Sequence, residues 1–440
     1  MSVVAKGLCV RCYAVLAVVA VVVLAATGVW NPFPAVWDRI TSSEPLAGAA
    51  ASWQQKLGGT ARSVTVTGGA VVVEYRTRIE AFGVAAGVQL WEKNADWSAV
   101  AGRDGDSVVV VGELLTKGYQ VLDPGNGQVR RKDTEAVAVW TYDDALLDVR
   151  CAKARDCELS AWDPRGTRPL WTVTTPGIGF VLSADNPDLP DTRPLPAGRI
   201  SDRAGGPTGM PGLIGFPADG KLHVVDTAAG RVVQVLDADR ERRVAVAGGR
   251  LLTVTADGRD GTCYFTVDAT DPSTGRQVWQ REGLNLRTAG DGAGCRQEQD
   301  PAGGYDVVLG VDPVGREVLV DSHDGRTLWR GGRRQRVLAV DDRHAVIRAA
   351  DGRTLSGRAF GPDRAVWERR AGDKAEASLT PWAAIVVDPG PGRVTALSPR
   401  TGAVLAEART EARVLAVGSG GMILGAGRDM AYVPFTVNRT

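Results

Sequence analysis

The stretch Ala269-Thr270-Asp271-Pro272-Ser273-Thr274-Gly275-Arg276-Gln277-Val278-Trp279 decides the fold of this 440-residue chain. It predicts a strand that ends near Asp271, a turn through Pro-Ser-Thr-Gly, and a second strand that carries Trp279. An aspartate at the start of a turn accepts hydrogen bonds from backbone N–H groups two residues further on, and glycine adopts positive φ without steric cost. The alternating apolar residues after Gly275 are typical of a strand that packs in a sheet.

Copies of this phrase recur along the chain. A second clear copy runs from Asp321 through Gly325 to Trp329, and the looser copies follow at steps of 38 to 50 residues, with one step of 63. The residues equivalent to Trp279 are Trp91, Arg131, Trp171, Gln234, Trp329, Trp367 and Ala406. This period is typical of one four-stranded blade of a β-propeller. The sequence therefore predicts an all-β propeller of about eight four-stranded blades over residues 62–440.

The pattern Ala-x-Asp-x-x-Thr-Gly-x-x-x-Trp, complete in residues 269–279, resembles the repeat of the pyrroloquinoline-quinone-like (quinoprotein-type) propellers. That family includes quinoprotein dehydrogenases, usually with eight blades, and non-enzymatic relatives such as the propeller lipoprotein of outer-membrane barrel assembly. The resemblance covers nearly all of residues 62–440 and implies the fold. It does not assign a function by itself, because one fold supports many functions.

The repeated tryptophans are predicted to be structural. A large ring that recurs at the repeat period bridges neighbouring sheets, and stacking on a cofactor is the alternative. The structural repeat residues are Trp91, Trp171, Gly275, Trp279, Gly325, Trp329 and Trp367.

The N-terminus predicts a membrane anchor. Residues 1–11 carry Lys6 and Arg11, and residues 12–37 contain no charged side chain, which is long enough to cross a bilayer. With the basic residues before the span, we expect a short cytoplasmic N-terminus, a single transmembrane helix at 12–37, a linker at 38–61 and an extracytoplasmic propeller at the cell membrane. A signal peptide that is cleaved near residues 25–27 is the alternative.

Composition narrows the class of partner. The 52 Lys and Arg nearly balance the 51 Asp and Glu, which argues against a nucleic-acid-binding protein because such proteins carry a basic excess.

Four cysteines follow the predicted span, and an even number in an exported domain predicts disulfides. Cys151 and Cys157 flank a plausible hairpin turn, so we expect them to pair, and elimination then pairs Cys263 with Cys295. Neither pair has the Cys-x-x-Cys spacing of a redox-active site.

Two further segments carry predictions about the ring. The Pro- and Gly-rich insertion at about residues 184–217 breaks the repeat and is either a plain surface loop or a site for a partner or ligand. Because a ring must close to hide its edges, we also expect the first strand, near residues 62–67, to join the last blade.

No catalytic, cofactor-binding or metal-binding residue can be assigned from the sequence. The enzymes of the family bind pyrroloquinoline quinone and Ca²⁺ over a Trp floor, often beside adjacent cysteines, and this chain has no adjacent cysteine pair. Its only histidines, His223, His323 and His344, fall in different repeats. We therefore expect a binding or scaffold module for a protein or cell-envelope partner, of the non-enzymatic branch, without cofactor. A quinone-dependent dehydrogenase and a small-ligand sensor that uses the channel are the alternatives.

Overall fold

The computed structural model describes residues 45–153, 156–176, 192–218, 220–237, 243–259, 262–286, 301–361 and 364–436. The strands of this part form nine antiparallel sheets, which are the blades of a propeller. Residues 46–440 form one compact unit. The prediction of a propeller with four-stranded blades is confirmed, but the prediction of about eight blades is wrong by one.

The strands follow one another as simple antiparallel meanders. The first strand and those of blades 1 to 3 are β1 (Trp53–Lys56), β2 (Ser63–Thr67), β3 (Ala70–Glu74), β4 (Arg78–Gly83), β5 (Gln89–Asn94), β6 (Trp97–Ala101), β7 (Val108–Gly112), β8 (Tyr119–Leu122), β9 (Val129–Asp133), β10 (Ala136–Thr141), β11 (Leu146–Lys153), β12 (Asp156–Trp162) and β13 (Pro169–Thr175). Blades 1 to 3 are β2–β5, β6–β9 and β10–β13.

The middle of the ring contains one blade of three strands within the described residues. The strands here are β14 (Leu213–Ala218), β15 (Lys221–Asp226), β16 (Arg231–Asp237), β17 (Arg243–Ala247), β18 (Arg250–Arg259), β19 (Thr262–Thr270), β20 (Gln277–Glu282), β21 (Ala302–Gly303), β22 (Val307–Val311), β23 (Glu317–Asp321) and β24 (Thr327–Arg330). Blade 4 is β14–β16, blade 5 is β17–β20 and blade 6 is β21–β24.

The last three blades complete the ring. Their strands are β25 (Arg336–Val340), β26 (His344–Arg348), β27 (Thr354–Ala359), β28 (Arg364–Arg370), β29 (Glu376–Leu379), β30 (Ala384–Asp388), β31 (Arg393–Leu397), β32 (Val404–Arg409), β33 (Arg413–Gly418), β34 (Gly421–Ala426) and β35 (Asp429–Pro434). Blades 7 and 8 are β25–β28 and β29–β32, and blade 9 is β33–β35 together with β1. Two short 3₁₀ helices lie at Gly48–Ala50 and Asp104–Asp106.

The N-terminal strand closes the ring. β1 pairs with β35, with Trp53 opposite Tyr432 and Lys56 opposite Asp429. Residues 63–67 instead pair with Ala70–Glu74 as the first strand of blade 1, so the prediction that residues 62–67 close the ring is wrong. The closing strand lies inside the stretch 38–61 that the sequence predicts to be a linker.

Each turn hairpin has the same irregularity. We call the position of Trp279 and its equivalents the repeat position. In blades 1 to 8 the pairing register shifts directly after the residue that lies opposite this position. In blade 5, for example, Ala269 lies opposite Trp279, and the shift falls between Ala269 and Thr270. A bulge of this kind increases the local twist and redirects the side chain beside it. In the copies with Trp91, Trp171, Trp279 and Trp367, the side chain after this bulge contacts the turn glycine of the next blade.

The core is a ring of apolar clusters between and within adjacent blades. Valine, alanine, leucine and isoleucine dominate these clusters, as in the cluster of β29–β35 that contains Ile385, Val414 and Leu424. Among the described residues no helix is long and apolar enough to cross a membrane. The predicted span at residues 12–37 lies outside the described residues.

Candidate functional site

The repeat tryptophans lie between blades. Trp91 packs on Gly127 of the next blade, and Trp279 packs in the same way on Gly325, where a Cβ would lie 2.7 Å from the indole ring. Trp279 Nε1 also donates a hydrogen bond to the carbonyl oxygen of Ser322, 2.9 Å away. Only a glycine leaves room for the ring, and its positive φ suits the turn.

The other repeat residues take related positions. Trp171 packs on Gly230, and Trp367 packs on Gly402. Trp329 is buried in the cluster that joins blades 6 and 7. Gly275 also has positive φ, but no indole covers it, because the preceding blade carries Gln234 at the repeat position.

Sequence analysis missed the tryptophan of blade 9. Trp53 packs on Gly87 of blade 1 and donates a hydrogen bond from Nε1 to the carbonyl oxygen of Val84, 2.7 Å away. The signal that could have identified it is Gly87, because four other turn glycines of this kind, Gly127, Gly230, Gly325 and Gly402, are each covered by a tryptophan of the preceding blade.

One predicted disulfide is confirmed. Cys151 and Cys157 are opposite each other in β11 and β12 and form a disulfide. Cys263 is also disulfide-bonded. Its predicted partner, Cys295, lies outside the described residues, so that pairing stays a prediction.

The insertion lies along the central channel. Its described part pairs with the channel-side edge of blade 9, where Ser201 N donates to the Val414 oxygen and Val414 N donates to the Arg199 oxygen, both at 2.9 Å. It also pairs with the channel-side edge of blade 6, where Arg193 N donates to the Pro301 oxygen at 2.7 Å. The insertion is therefore not a surface loop without a structural role.

Side-chain contacts also attach the insertion to the blades. Ala197, Ile200 and Ala204 are buried in the apolar cluster of blades 8 and 9. The Arg199 backbone N–H donates to Glu376 Oε2, 2.7 Å away at the start of β29. The described part of the segment therefore packs against blades 6, 8 and 9, and it lines two cavities that share no residue, which we call the two mouths of the channel.

One mouth opens on the face that we call the turn face. This face carries the turns between the first and second strands, and between the third and fourth strands, of each blade. The cavity there is about 450 Å³. Its walls are glycine-rich turns of blades 1, 2, 3, 8 and 9 together with residues 205–207 of the insertion; the polar lining residues are Thr67, Arg103, Asp104, Asp123, Asp143, Arg165, Ser419 and Tyr432.

Opposite charges meet in this mouth. Arg103 forms an ion pair with Asp143. Burial raises the pKa of the Asp143 carboxyl above its ordinary value, and the Arg103 guanidinium opposes that shift. A hydrogen bond from Arg130 lowers the pKa of Asp123 below its ordinary value. Arg103 and Arg130 thus pair with Asp143 and Asp123, and among the described residues Asp104 is the lining aspartate without an ion pair.

The end of the insertion is fastened at the turn face. Asp143 N donates to the Thr208 oxygen, and Met210 N donates to Asp144 Oδ1, both at 2.8 Å. The Thr208 hydroxyl also hydrogen-bonds the hydroxyl of Tyr305, and burial raises the pKa of Tyr305 to about 12. These bonds connect blades 3 and 6 across the mouth through the insertion.

The described residues do not fit pyrroloquinoline quinone with Ca²⁺. Over the part of the chain that the structure describes, no three His, Cys, Asp or Glu side chains come close enough together to hold a metal ion. The repeat tryptophans are committed to contacts between blades, and the insertion covers the channel-side edges of blades 6 and 9. The three histidines lie apart, in blades 4, 6 and 7.

A family model described as the outer membrane protein assembly factor BamB matches residues 264–419, from blade 5 into blade 9. This match supports the predicted resemblance to pyrroloquinoline-quinone-like repeats over the residues that it covers. No curated protein matches the chain.

Solved structures of low identity align over most of the chain. BamB from Moraxella catarrhalis is 15% identical over 89% of this chain and 98% of its own, with a TM-score of 0.37. A quinohemoprotein alcohol dehydrogenase from Pseudomonas putida is 12% identical over 90% of this chain and 77% of its own, also with a TM-score of 0.37. At these values neither alignment distinguishes a binding protein from an enzyme.

Proposed function

We propose that this propeller is a protein-binding scaffold, exported and anchored to the cell membrane by residues 12–37, whose turn face receives the partner. The observation that carries the proposal is the insertion in the channel, which pairs with the inner edges of blades 6 and 9. A channel filled by the chain's own backbone leaves the rims as the available surface, and rigid rims with many turns suit recognition.

The match to a family model also supports a scaffold. The matched model is named for an assembly factor, and the matched segment includes turns of the turn face in blades 5 to 9. Asp123 and Asp143 pair with Arg130 and Arg103, and Asp104, which forms no ion pair among the described residues, offers a contact for a lysine or arginine of the partner.

Site-specific photocrosslinking in the native membrane tests this proposal. A photoreactive residue replaces Arg165 or Ser419 at the turn-face mouth, and the control replaces Leu115, which is 76% exposed on a turn of the opposite face. We expect a discrete crosslinked protein from the first two positions only. Its yield should fall at high salt and in Asp104→Asn/Asp106→Asn, because charge attraction between exposed groups is screened by salt.

The result can contradict the proposal in two ways. Absence of crosslinks from both turn-face positions, or the same products from Leu115, would remove the turn face as the binding surface.

Membrane attachment is tested separately. The full chain should stay with the membrane after an alkaline carbonate wash, and a chain that begins at residue 38 and carries a cleavable export signal should be released. Release of the full chain would contradict the anchor and favour the cleaved signal peptide.

A further inference from the structure

We propose that the second mouth of the channel binds an organic oxyanion, a phosphate or carboxylate group, between the guanidinium groups of Arg62, Arg203 and Arg413. This mouth lies on the face opposite the turn face, where the first strands of the blades begin. The site is independent of the protein-binding surface proposed above, because the two cavities share no lining residue.

The cavity at this mouth is about 470 Å³. Its wall combines the start of β2, the end of β3, the start of β33 and residues 196–203 of the insertion. The insertion therefore does more than fill the channel: it supplies one arginine, Arg203, and brings that side chain to a cavity that already has an arginine from blade 1 and another from blade 9.

The positive charges are incompletely balanced. Arg62 lies 3.9 Å from Glu74, the nearer of the two acids in the wall. Glu74 is itself bound to Ser98, whose backbone N–H and hydroxyl donate to Oε2 at 2.8 and 3.1 Å. Within the described part of the chain, neither Arg203 nor Arg413 forms an ion pair. The second acid of the wall is Asp202, which is exposed.

The chemistry of these side chains selects an oxyanion. A guanidinium group presents a planar fork of donors that matches the oxygens of a carboxylate or phosphate, and the pairing is short and directional. Without an anion, like charges around one cavity repel each other, and a bound anion removes that repulsion. The three arginines outnumber Glu74 and Asp202 in the wall, and an excess of positive charge raises the local concentration of anions.

The rest of the wall suggests what carries the oxyanion. Val64, Pro196, Ala197 and Ile200 give the cavity an apolar side, and Ile200 is almost fully buried. The cavity is far larger than an inorganic ion. The geometry therefore fits an organic molecule whose apolar body contacts this side while its oxyanion meets the arginines.

Anion-dependent thermal stabilisation of the full-length chain tests the proposal. The protein is titrated with sodium phosphate or sodium acetate at constant ionic strength, with sodium chloride as the reference. We expect a saturable rise of Tm with at least one of the two anions, because a ligand that binds only the folded state stabilises it by mass action. Whichever anion saturates at the lower concentration identifies the preferred group.

Variants locate the effect. Arg203→Gln and Arg413→Gln should each weaken the apparent affinity about tenfold, since each removes charged hydrogen bonds to the anion. Without added anion their Tm should equal or exceed that of the wild type, because like-charge repulsion is relieved; a purely structural role would instead lower it. Arg165→Gln, an exposed arginine at the other mouth, is the matched control and should titrate like the wild type.

Two outcomes would overturn the proposal. One is a Tm that rises with neither anion beyond the chloride reference. The other is a rise that is equally large in the double variant Arg203→Gln/Arg413→Gln, which would show that the anions act elsewhere on the chain.

Discussion

Replacement of Trp53 by alanine should destabilise the propeller as much as the loss of a repeat tryptophan elsewhere in the ring. Trp53 packs on Gly87, donates a hydrogen bond to Val84 and stacks on Tyr432, with ring centroids 5.8 Å apart. Loss of a core tryptophan costs about 3–5 kcal/mol, and because Trp53 is only partly buried we expect the lower end, about 3 kcal/mol.

That free energy converts to a measurable shift of Tm. Unfolding entropy is about 2.1 cal/mol/K per residue, so for the compact unit Leu46–Thr440 a loss of about 3 kcal/mol lowers Tm by roughly 4 °C. Thermal unfolding followed by near-UV circular dichroism and tryptophan fluorescence measures it. Trp53→Phe keeps a ring on Gly87 and loses only the hydrogen bond, about 1 kcal/mol, so its Tm should fall by roughly 1–2 °C.

A surface control separates the packing effect from general sensitivity. Leu90→Ala removes a side chain that is 42% exposed on β5, and we expect a change of stability within about 0.5 kcal/mol. If Trp53→Ala melts within 1 °C of the wild type, residues 53–56 do not close the ring in solution, and the assignment of the ninth blade fails.

Three further predictions concern the disulfide, the insertion and one buried carboxyl. Replacement of Cys151 and Cys157 by serine should cost about 2 kcal/mol, since the bond closes a short loop, and reductant should destabilise the wild type by about that much more than the variant, because the disulfide of Cys263 is present in both. Ile200→Ala should cost about 2–4 kcal/mol, because Ile200 is 2% exposed against blade 9; urea unfolding measures it, and a loss below 1 kcal/mol would mean that the insertion leaves the channel in solution. Burial raises the pKa of Asp342 to about 6, so the folded state holds the proton more tightly and loses stability as the pH rises from about 4 to 6. Asp342→Asn should flatten that part of the Tm profile, whereas Asp351→Asn, in an exposed turn, should not; equal slopes in the two variants would exclude Asp342 as the cause.

Local signals were sufficient to place strands where one blade is contiguous in sequence. Residues 336–340 and 344–348 are strands of one blade, and their apolar runs between Asp-rich or Gly-rich turns depend only on neighbours in sequence. The hairpin that brings Cys151 to Cys157 is local in the same sense.

The ninth blade could not be counted by the same means. Its last strand, Trp53–Lys56, is separated from its partner β35 by the whole ring, and no Asp-x-x-x-Gly turn precedes Trp53 in the sequence. The pairing that closes the ring joins strands from the two ends of the chain. A repeat that is split in this way leaves only part of its sequence pattern at each end.

The role of the insertion was also inaccessible from sequence, although its boundaries were visible. Proline and glycine marked residues 184–217 as irregular, but Ala197, Ile200 and Ala204 look unremarkable among so many small apolar residues. They are buried because blades 8 and 9 present an apolar surface to the channel, which depends on the closed ring. The positions of Arg62, Arg203 and Arg413 around one cavity have the same origin, since three segments distant in sequence meet there.

The residues that line the two mouths differ in charge: three aspartates and two arginines line the mouth on the turn face, and three arginines and two acids line the other. Turns that begin with aspartate do not explain this difference, because they occur on both faces, as Asp271 accepts from Ser273 on one and Asp351 accepts from Arg353 on the other. The difference comes instead from the arginines at the first strands of blades 1 and 9 and from Arg203 of the insertion. Because the two cavities share no lining residue, an aspartate variant at one should leave anion binding at the other unchanged. If Asp104→Asn altered the anion titration, the two mouths would be coupled through the insertion, and the channel would have to be treated as one site.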